Sequence, residues 1–306
     1  MDNITHTLVG ACLAEAGLKR RTALGAATLM IGANFPDIDV IAVPLGMGIE
    51  WRRGATHGFV ALAILPFILA EIMWLWDKNV RRRRQPDAPP SDYRQLAVLS
   101  AIAIATHPTL DFMNTYGVRW LMPFVDKWFY ADGLYIVDLW IMMTLLVGML
   151  WSRRERNTRP AQAALVAIAV YTTGMLLVTG IGRKEVAASF PGHRFMVEPN
   201  GAIPWRRDVL LEDDAVYRMG TYSLFGKLRM ERLAWPKTSR NGREAPKYDE
   251  DPSIAQARMV PKARAFLRWA RFPMFEVTRR GDRTVVRISD ARYEGASWAS
   301  VQVTLP

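Results

Sequence analysis

The sequence predicts a mostly α-helical protein, with a polytopic helical membrane domain over residues 1–182 and a β-rich soluble domain over residues 183–306. Residues 58–76 form a 19-residue apolar run with one charge, Glu71, and residues 161–182 carry no charge. Each run is long enough to cross a bilayer, because a membrane-spanning helix needs about 20 residues. After these runs, short alternating segments replace the long apolar ones, and this change predicts the second domain.

Weaker apolar stretches predict the other membrane helices. They cover residues 4–18, 22–43, 95–112 and 133–151, and the last of them contains Asp138. Soluble core helices could also explain the shorter stretches, but they rarely match an uncharged run as long as 161–182. We therefore expect an integral membrane protein that crosses the bilayer several times.

The C-terminal part is basic and carries the pattern of strands. Residues 183–306 hold 23 of the 40 Lys and Arg residues and 15 Asp and Glu residues. RTVVRIS at 283–289 and SVQVTL at 300–305 alternate as half-buried strands do. SIAQARMVPKARAFLRWARF at 253–272 indicates a basic amphipathic helix that is interrupted near Pro261.

Composition excludes some classes of site. The chain has one cysteine, Cys12, so neither an internal disulfide nor a zinc finger built on thiolates is expected. The start, MDNITHTLVG, lacks a basic region, and we expect no cleavable signal peptide. Although the net charge is +11, we interpret the arginine runs as signals of membrane orientation and expect no nucleic-acid partner.

The basic residues predict the orientation. Residues 19–21, 81–84 and 153–159 contain basic clusters that are separated by two predicted helices each time, so they lie on one side. The positive-inside rule makes that side cytoplasmic and places the C-terminal domain on the outer, periplasmic side of a bacterial inner membrane. A smaller set of basic residues counts against this orientation: Arg52, Arg53, Arg183 and Lys184.

Imidazoles and carboxylates collect at the outer side of this topology. The candidate metal ligands are His6, Asp37, Asp39, His57, His107, Asp111 and Asp138. His107 and Asp111 are four residues apart and share one face of a helix, although Pro108 is expected to kink that helix or to start a new turn. Pro36 breaks any continuous helix in NFPDID, where Asn34 could cap the next turn. We expect the paired aspartates at the mouth of a cavity, where a divalent cation offsets their charge.

This set of donors fits zinc, manganese or iron, since it has imidazole and carboxylate but no thiolate. A single catalytic zinc uses three protein ligands, so seven candidates suit two or more ions. Simpler interpretations stay open for single features. NFPDID alone could be an ordinary turn, Asp138 could pair with an arginine, and His193 is more typical of a helix cap or an interfacial residue.

Several motifs occur together in one order. MDNITHTLVG, GANFPDIDV, RRGATHG and HPTLDFMNTYG, followed by PF and YIVDLW, resemble the YdjM-like family of bacterial inner-membrane proteins. The resemblance covers about residues 1–150, and VEPNGAIPWRRDVL at 197–210 is similar to a weaker motif beyond the membrane domain. It implies a multi-helix membrane domain and a metal-dependent hydrolase whose ligands are the seven residues above. A fainter similarity to zinc phospholipases C and zinc nucleases, which share a His-x-x-x-Asp pair, suggests phosphoester chemistry.

We therefore expect a membrane-embedded hydrolase with two or more zinc ions, or manganese, that cleaves a phosphoester or related bond. Asp39 is the candidate general base or ligand, and Arg53 is the second catalytic candidate. Arg53 and Arg119 are candidates to hold an anionic small-molecule or lipid substrate. Two alternatives stay open. One is a metal-ion transporter or sensor, and the other is a regulatory scaffold for a repressor such as LexA, which the family's second label suggests.

Overall fold

The computed structural model describes residues 1–42, 48–240, 243–244 and 251–306. Within them the chain divides into two compact units. The first comprises Met1–Ala42, Trp51–Leu177 and Gly201–Pro204, and the second consists mainly of Val178–Asn200 and Trp205–Pro306. The predicted domain boundary after residue 182 lies inside the helix Arg159–Ser189.

Helices build the first unit. They are α1 Asn3–Glu15, α2 Gly25–Gly32, α3 Gly48–Trp51, α4 Phe59–Trp76, α5 Arg82–Arg84, α6 Tyr93–Met113, α7 Leu139–Glu155 and α8 Arg159–Ser189. A π-helical turn, Asp77–Arg81, joins α4 to α5. Among the described residues, three helical segments are long and apolar enough to cross a membrane: Phe59–Arg84, Tyr93–Met113 and Arg159–Ser189. These segments correspond to the apolar runs predicted at 58–76, 95–112 and 161–182, except that the first helix begins at Phe59.

Two predicted helices have different limits in the structure. The stretch 22–43 is not one helix, because α2 ends at Gly32 and a 3-10 helix, Phe35–Ala42, follows it. Pro36 lacks the N–H that a continuous helix needs there. The stretch predicted at 133–151 becomes α7, which starts only at Leu139, because the Asp138 side chain accepts from the backbone N–H groups of Trp140 and Ile141. Its 17 residues are about 26 Å long.

One helix runs through Pro108 to Met113, so Pro108 does not start a new turn, which was one of the two predicted outcomes. A proline inside a helix removes one backbone hydrogen bond. The packing of α6 against its neighbours offsets this loss, because Leu96, Leu99 and Ile104 are all fully buried.

Small residues let the helices of the first unit approach closely. A Cβ on Gly10 of α1 would lie 2.5 Å from the backbone oxygen of Leu29 on α2. A Cβ on Gly32 at the end of α2 would lie 2.8 Å from the Cβ of Ala103 on α6. These contacts fix α1, α2 and α6 against one another. The same elements carry His6, the turn to Asp37, and His107.

The second unit is rich in β-strands, as predicted. One sheet has the order β1-β2-β3-β4, with strands Phe195–Pro199, Arg206–Glu212, Val216–Ser223 and Arg229–Pro236. The other has the order β6-β5-β7-β8-β9, with strands Thr238–Arg240 (β5), Arg243–Glu244 (β6), Pro273–Arg280 (β7), Arg283–Asp290 (β8) and Ser300–Leu305 (β9). The pair β5 and β7 is parallel, and the other neighbours are antiparallel.

Two helices accompany the second sheet, α9 Pro252–Met259 and α10 Pro261–Trp269. The interruption predicted at Pro261 is confirmed, because α10 begins at this residue. The predicted strands at 283–289 and 300–305 are β8 and β9. Trp269 at the end of α10 is fully buried, and its ring stacks on that of Tyr293.

Candidate metal centre

Four segments of the first unit deliver five side chains to one buried place. His6 comes from the second turn of α1, Asp37 from the 3-10 helix after α2, and His57 from the turn before α4. His107 and Asp111 lie one turn apart on α6. The three histidines and Asp111 are fully buried, and Asp37 is 7% exposed.

Asp111 lies at the centre of the cluster. Its Oδ2 is 3.4 Å from Nε2 of His57 and 3.4 Å from Nε2 of His107. Its Oδ1 is 3.4 Å from Nε2 of His6 and also contacts the amino group of Met1. The two carboxylate oxygens therefore face different histidines.

Asp37, which lies in the 3-10 helix, faces two of these histidines, His57 and His107. Its Oδ1 is 3.6 Å from Nε2 of His107 and 3.7 Å from Nε2 of His57. Two groups of three could each hold a metal ion: His6, His107 and Asp111, and Asp37, His57 and His107. Within each group the donor atoms lie within 4.8 Å of one another.

The facing atoms have no hydrogen-bond partner among the residues that the structure describes. They are Nε2 of His6, His57 and His107, Oδ1 of Asp37 and Oδ2 of Asp111. Buried polar atoms are nearly always hydrogen-bonded, and leaving one unpaired is costly. Three imidazole nitrogens and two carboxylate oxygens that converge on one place are the kind of ligand set that a divalent transition metal needs. The two carboxylate oxygens also form ion pairs, Asp37 with Arg52 and Asp111 with Arg53. The residues present therefore fit a bound metal.

Hydrogen bonds behind the cluster orient the imidazoles. Nδ1 of His107 is 2.7 Å from the backbone oxygen of Ala33. A carbonyl oxygen only accepts, so Nδ1 must carry the proton, and the lone pair of Nε2 faces Asp37 and Asp111. Such outer hydrogen bonds are typical of histidines that bind metals. His57 has a similar support, because its Nδ1 is 3.0 Å from Oγ1 of Thr56.

Asp39 lies behind His57 rather than beside the other ligands. Its Oδ2 is 3.6 Å from Nδ1 of His57 and accepts from the backbone N–H of Arg53 at 2.7 Å. Its Oδ1 accepts from the guanidinium of Arg52 at 2.5 Å. Asp39 is in neither metal group. It holds the turn of residues 52–57 in place, and that turn presents His57.

Arg53 belongs to the site, and Arg119 supports it from outside. The buried Arg53 has its Nε 2.9 Å from Oδ2 of Asp111, and it donates to Oδ1 of Asn114 at 3.2 Å. Arg119, which is also buried, pairs with Asp126 at 3.0 Å and donates to the backbone oxygen of Arg52 at 2.8 Å. Arg119 thus fixes the segment that carries Arg52 and Arg53.

The predicted candidate Asp138 has other surroundings, and so do His193 and Asn34. Asp138 caps α7 through Oδ1, and its Oδ2 accepts from the hydroxyl of Tyr171 at 3.0 Å. It is in neither metal group, and we leave it out of the ligand set proposed below. His193 belongs to the second unit and is exposed. Asn34 does not show the expected capping contact: its side-chain amide donates to Oγ1 of Thr7 and to the backbone oxygen of Met30.

The sequence analysis missed the place of Arg52. Its guanidinium nitrogen is 3.1 Å from Oδ1 of Asp37 and 2.5 Å from Oδ1 of Asp39, and its side chain is 21% exposed. The arginine thus joins both aspartates and reaches solvent. Its position in RRGATHG, five residues before His57, was the available signal. The hydrogen bond between His107 and the backbone oxygen of Ala33 was also not predictable from the sequence, because every residue has a backbone oxygen.

At His57 and Asp37 the electrostatic surroundings favour the forms that bind cations. Burial lowers the pKa of His57, although Asp111 opposes this, so its imidazole is neutral at pH 7. Burial alone would raise the pKa of Asp37, but the proximity of His107 and the charge of Arg52 hold it well below its usual range. A neutral imidazole and an ionised carboxylate are the states that coordinate metals.

Comparisons with known proteins found a family and one relative that resemble this chain. The sequence pattern of the YdjM inner membrane protein family matches residues 1–186, which include every residue of the cluster. YfhP of Bacillus subtilis (strain 168), which is described as uncharacterized, is 24% identical over 159 residues, or 49% of this chain and 45% of YfhP. The chain thus spans less than half the length of this relative. No solved structure matches. The match over residues 1–186 covers more than half of the chain and shows that it belongs to the YdjM inner membrane protein family.

Proposed function

We propose that this protein is an integral inner-membrane hydrolase that depends on a divalent metal and cleaves a phosphoester or related bond in a lipid-associated, anionic substrate. The observation that carries the proposal is the convergence, in one buried place, of two carboxylates and three imidazole Nε2 atoms that have no hydrogen bond among the described residues. Similar clusters of imidazole and carboxylate bind the metals of many hydrolases. Membership of an inner-membrane family supports a location of the proposed site in or at the bilayer.

The proposed ligands are His6, Asp37, His57, His107 and Asp111. Each imidazole nitrogen has one lone pair, so Nε2 of His107 can bind only one ion, although it belongs to both groups. Asp111 can serve two ions, because its Oδ1 faces His6 and its Oδ2 faces His57 and His107. This arrangement supports a pair of ions that share Asp111. The donor set favours zinc, with manganese as the alternative.

A bound metal would supply a Lewis acid and a water of lowered pKa. The chain's own residues would hold the reactants. Arg53 balances the charge of Asp111 inside the site, and Arg52 is placed at the solvent side to pair with an anionic oxygen of the substrate. Because both oxygens of Asp39 already accept hydrogen bonds, we assign it the task of positioning His57 rather than that of a general base.

The proposal also includes the orientation in the membrane. Basic residues lie after α1, in the last turn of the segment Phe59–Arg84 and at the end of α7, and the positive-inside rule assigns them to the cytoplasm. The second unit then lies on the periplasmic side. The candidate metal centre, at the other ends of α1 and α6, would open toward the periplasmic leaflet and reach lipid substrates there.

The experiment is a hydrolysis assay of the purified full chain in detergent. It uses phosphomonoesters, phosphodiesters and phospholipids, with the metal removed by a chelator and then restored as zinc or manganese. We expect turnover that disappears with the chelator and returns with the metal. His57→Ala should abolish it, whereas Asp138→Asn, which keeps a side chain able to cap α7, should retain it. Activity that is indifferent to metal, or equally lost in both variants, would refute the assignment.

A further inference from the structure

We propose that the first unit has a second binding site, remote from the candidate metal centre, that holds the phosphate group of an anionic membrane lipid. A cavity of about 180 Å³ lies where α1 and α7 end, and four basic side chains line it: Lys19, Arg20, Arg153 and Arg156. Glu15 also lines it, nine residues after His6 on α1, which corresponds to about 13 Å along the helix. The cavity is therefore separate from the site described above.

The charges around this cavity are not balanced. The largely buried Glu15 accepts from Nε of Arg153 at 2.8 Å through Oε1 and from Nζ of Lys19 through Oε2. Both of its oxygens are thus occupied, and the contacts join the end of α1 to α7. Arg20 and Arg156 are exposed and form no ion pair among the described residues. Four positive charges against one negative charge leave the cavity ready to bind an anion.

The surroundings match a lipid rather than a free anion. Trp151, two residues before Arg153, is 58% exposed at the end of the apolar part of α7. Tryptophan at such a place is typical of the membrane interface. A more open cavity of about 610 Å³ lies next to the first and shares Asn157 with it. Its other lining residues are Trp151, Glu155, Arg159, Pro160 and Ala163. A headgroup phosphate in the basic cavity would leave the rest of the lipid against this partly apolar wall.

Membrane orientation alone could also explain basic residues here. Orientation depends on the number of charges near a helix end and is indifferent to which basic residues supply them. A bound phosphate needs particular arginines, because a guanidinium pairs with phosphate oxygens in a fixed geometry. Variants with equal charge changes at different places therefore separate the two explanations.

The test is native mass spectrometry of the full chain in detergent, titrated with phosphatidylglycerol, phosphatidylcholine or inorganic phosphate. The test variant is Arg20→Gln with Arg156→Asn, because Arg156 has φ +50°, which asparagine tolerates. The matched control is Arg83→Gln with Arg84→Gln, which removes two exposed charges from the other basic segment. We expect the test variant to lose about tenfold in affinity for phosphatidylglycerol, while the control binds like the wild type.

A third variant, Arg20→Lys with Arg156→Lys, keeps every charge and hence the orientation. We expect it to lose about threefold in affinity, since lysine pairs with phosphate without the fork geometry. Thermal unfolding of each variant checks that the variant is folded. If the variant with Arg20→Gln and Arg156→Asn does not fold, the affinity of the lysine variant for phosphatidylglycerol decides the test. Equal lipid affinity in all variants would overturn the proposal. So would wild-type binding of phosphatidylcholine as tight as that of phosphatidylglycerol, or binding of inorganic phosphate without binding of the lipid.

Discussion

Arg52 is the residue whose position says most about the substrate. It touches Asp37 and Asp39 and is the site's partly exposed cation, whereas Arg53 beside it is buried against Asp111. From this partly exposed position, the guanidinium of Arg52 can attract an anionic group of a substrate without contacting a bound metal. The two arginines are adjacent in the chain, yet the structure gives them different tasks.

Replacing Arg52 by alanine should weaken substrate binding and spare the metal. A charge-assisted hydrogen bond contributes about 1.5–3 kcal/mol, so we expect KM to rise by about tenfold to a hundredfold. Arg52→Lys should show a smaller rise, because it keeps the charge. Steady-state kinetics with metal content measured in parallel check this. An unchanged KM in the alanine variant would show that Arg52 does not meet the substrate.

For single residues, the sequence predicts which side chains belong to the site better than it predicts the role of each one. His6, Asp37, His57, His107 and Asp111 were predicted as candidates, and the structure brings them together. Asp39 was predicted with them because it is two residues from Asp37. The 3-10 helix places these two carboxylates on different sides of His57, and only Asp37 faces the cluster. Spacing alone cannot reveal this, because it depends on where one helix ends and the next turn begins.

Among the helices, close contact at two glycines sets the geometry of the site. Gly10 lies four residues after His6 on α1, and an added Cβ there would meet the backbone of Leu29 and Met30 on α2. Backbone atoms cannot yield as a flexible side chain can. Any larger residue at Gly10 must therefore move α1, and with it His6.

Gly10→Ala should destabilise the protein by about 1–3 kcal/mol, the usual effect of overpacking a core. It should also weaken metal binding through the shift of His6. The matched control is Gly174→Ala on α8, where an added Cβ meets nothing within 4 Å. Thermal unfolding in detergent compares the two. A Gly10 variant as stable as the Gly174 variant would contradict the close packing of α1 on α2.

In the second unit, a buried ion pair links β8 to the residues after α10. Both oxygens of Asp290 accept from Arg292, and Oδ2 also accepts from the backbone N–H of Arg271 at 2.6 Å. Burial alone would raise the pKa of Asp290, but the charge and hydrogen bonds of Arg292 lower it below its usual value. A carboxyl with a lowered pKa stabilises the fold above its ordinary pKa, near 3.9, and this contribution is lost as the pH falls through the lower, folded value.

Hydrogen exchange of peptides around residues 271–292 tests this in the full chain. In the Asp290→Asn variant, the free energy of opening of this segment at pH 7 should fall by about 1–3 kcal/mol, the range for a buried group that loses a charged partner. The difference between variant and wild type should shrink as the pH falls below about 4, where the carboxylate of the unfolded segment takes up protons, and should disappear below the lower pKa of the folded carboxyl. A difference that is constant between pH 7 and pH 3 would show that the charge of Asp290 is not what stabilises the segment.

The helices and strands were predictable to different extents. The long apolar runs at 58–76 and 161–182 indicated their helices directly, since length and hydropathy suffice for a membrane span. The break after Gly32, the late start of α7 and the uninterrupted α6 were not predictable in detail. Each depends on a single contact, such as the Asp138 cap, or on packing that outweighs the cost of Pro108.

For the whole molecule, the orientation decides which reactions are available. In the proposed orientation, the basic residues near α1, α5 and α7 lie in the cytoplasm, and the second unit and the candidate metal centre face the periplasm. A reporter enzyme that is active only outside the cytoplasm, fused after residue 306, should therefore be active. The same reporter fused after residue 85, which follows the basic segment 81–84, should be inactive. The reverse pattern would move the site to the cytoplasmic side and exclude periplasmic substrates.

The most direct test of the central claim is the metal content of the full chain, purified in detergent without added chelator and measured by mass spectrometry. We expect one to two equivalents of zinc or manganese per chain in the wild type, as the two overlapping groups allow. Asp111→Ala and His57→Ala should each lose most of it, while Asp138→Asn should retain it. Stoichiometric metal in the Asp111 and His57 variants, or none in a folded wild type, would contradict the account.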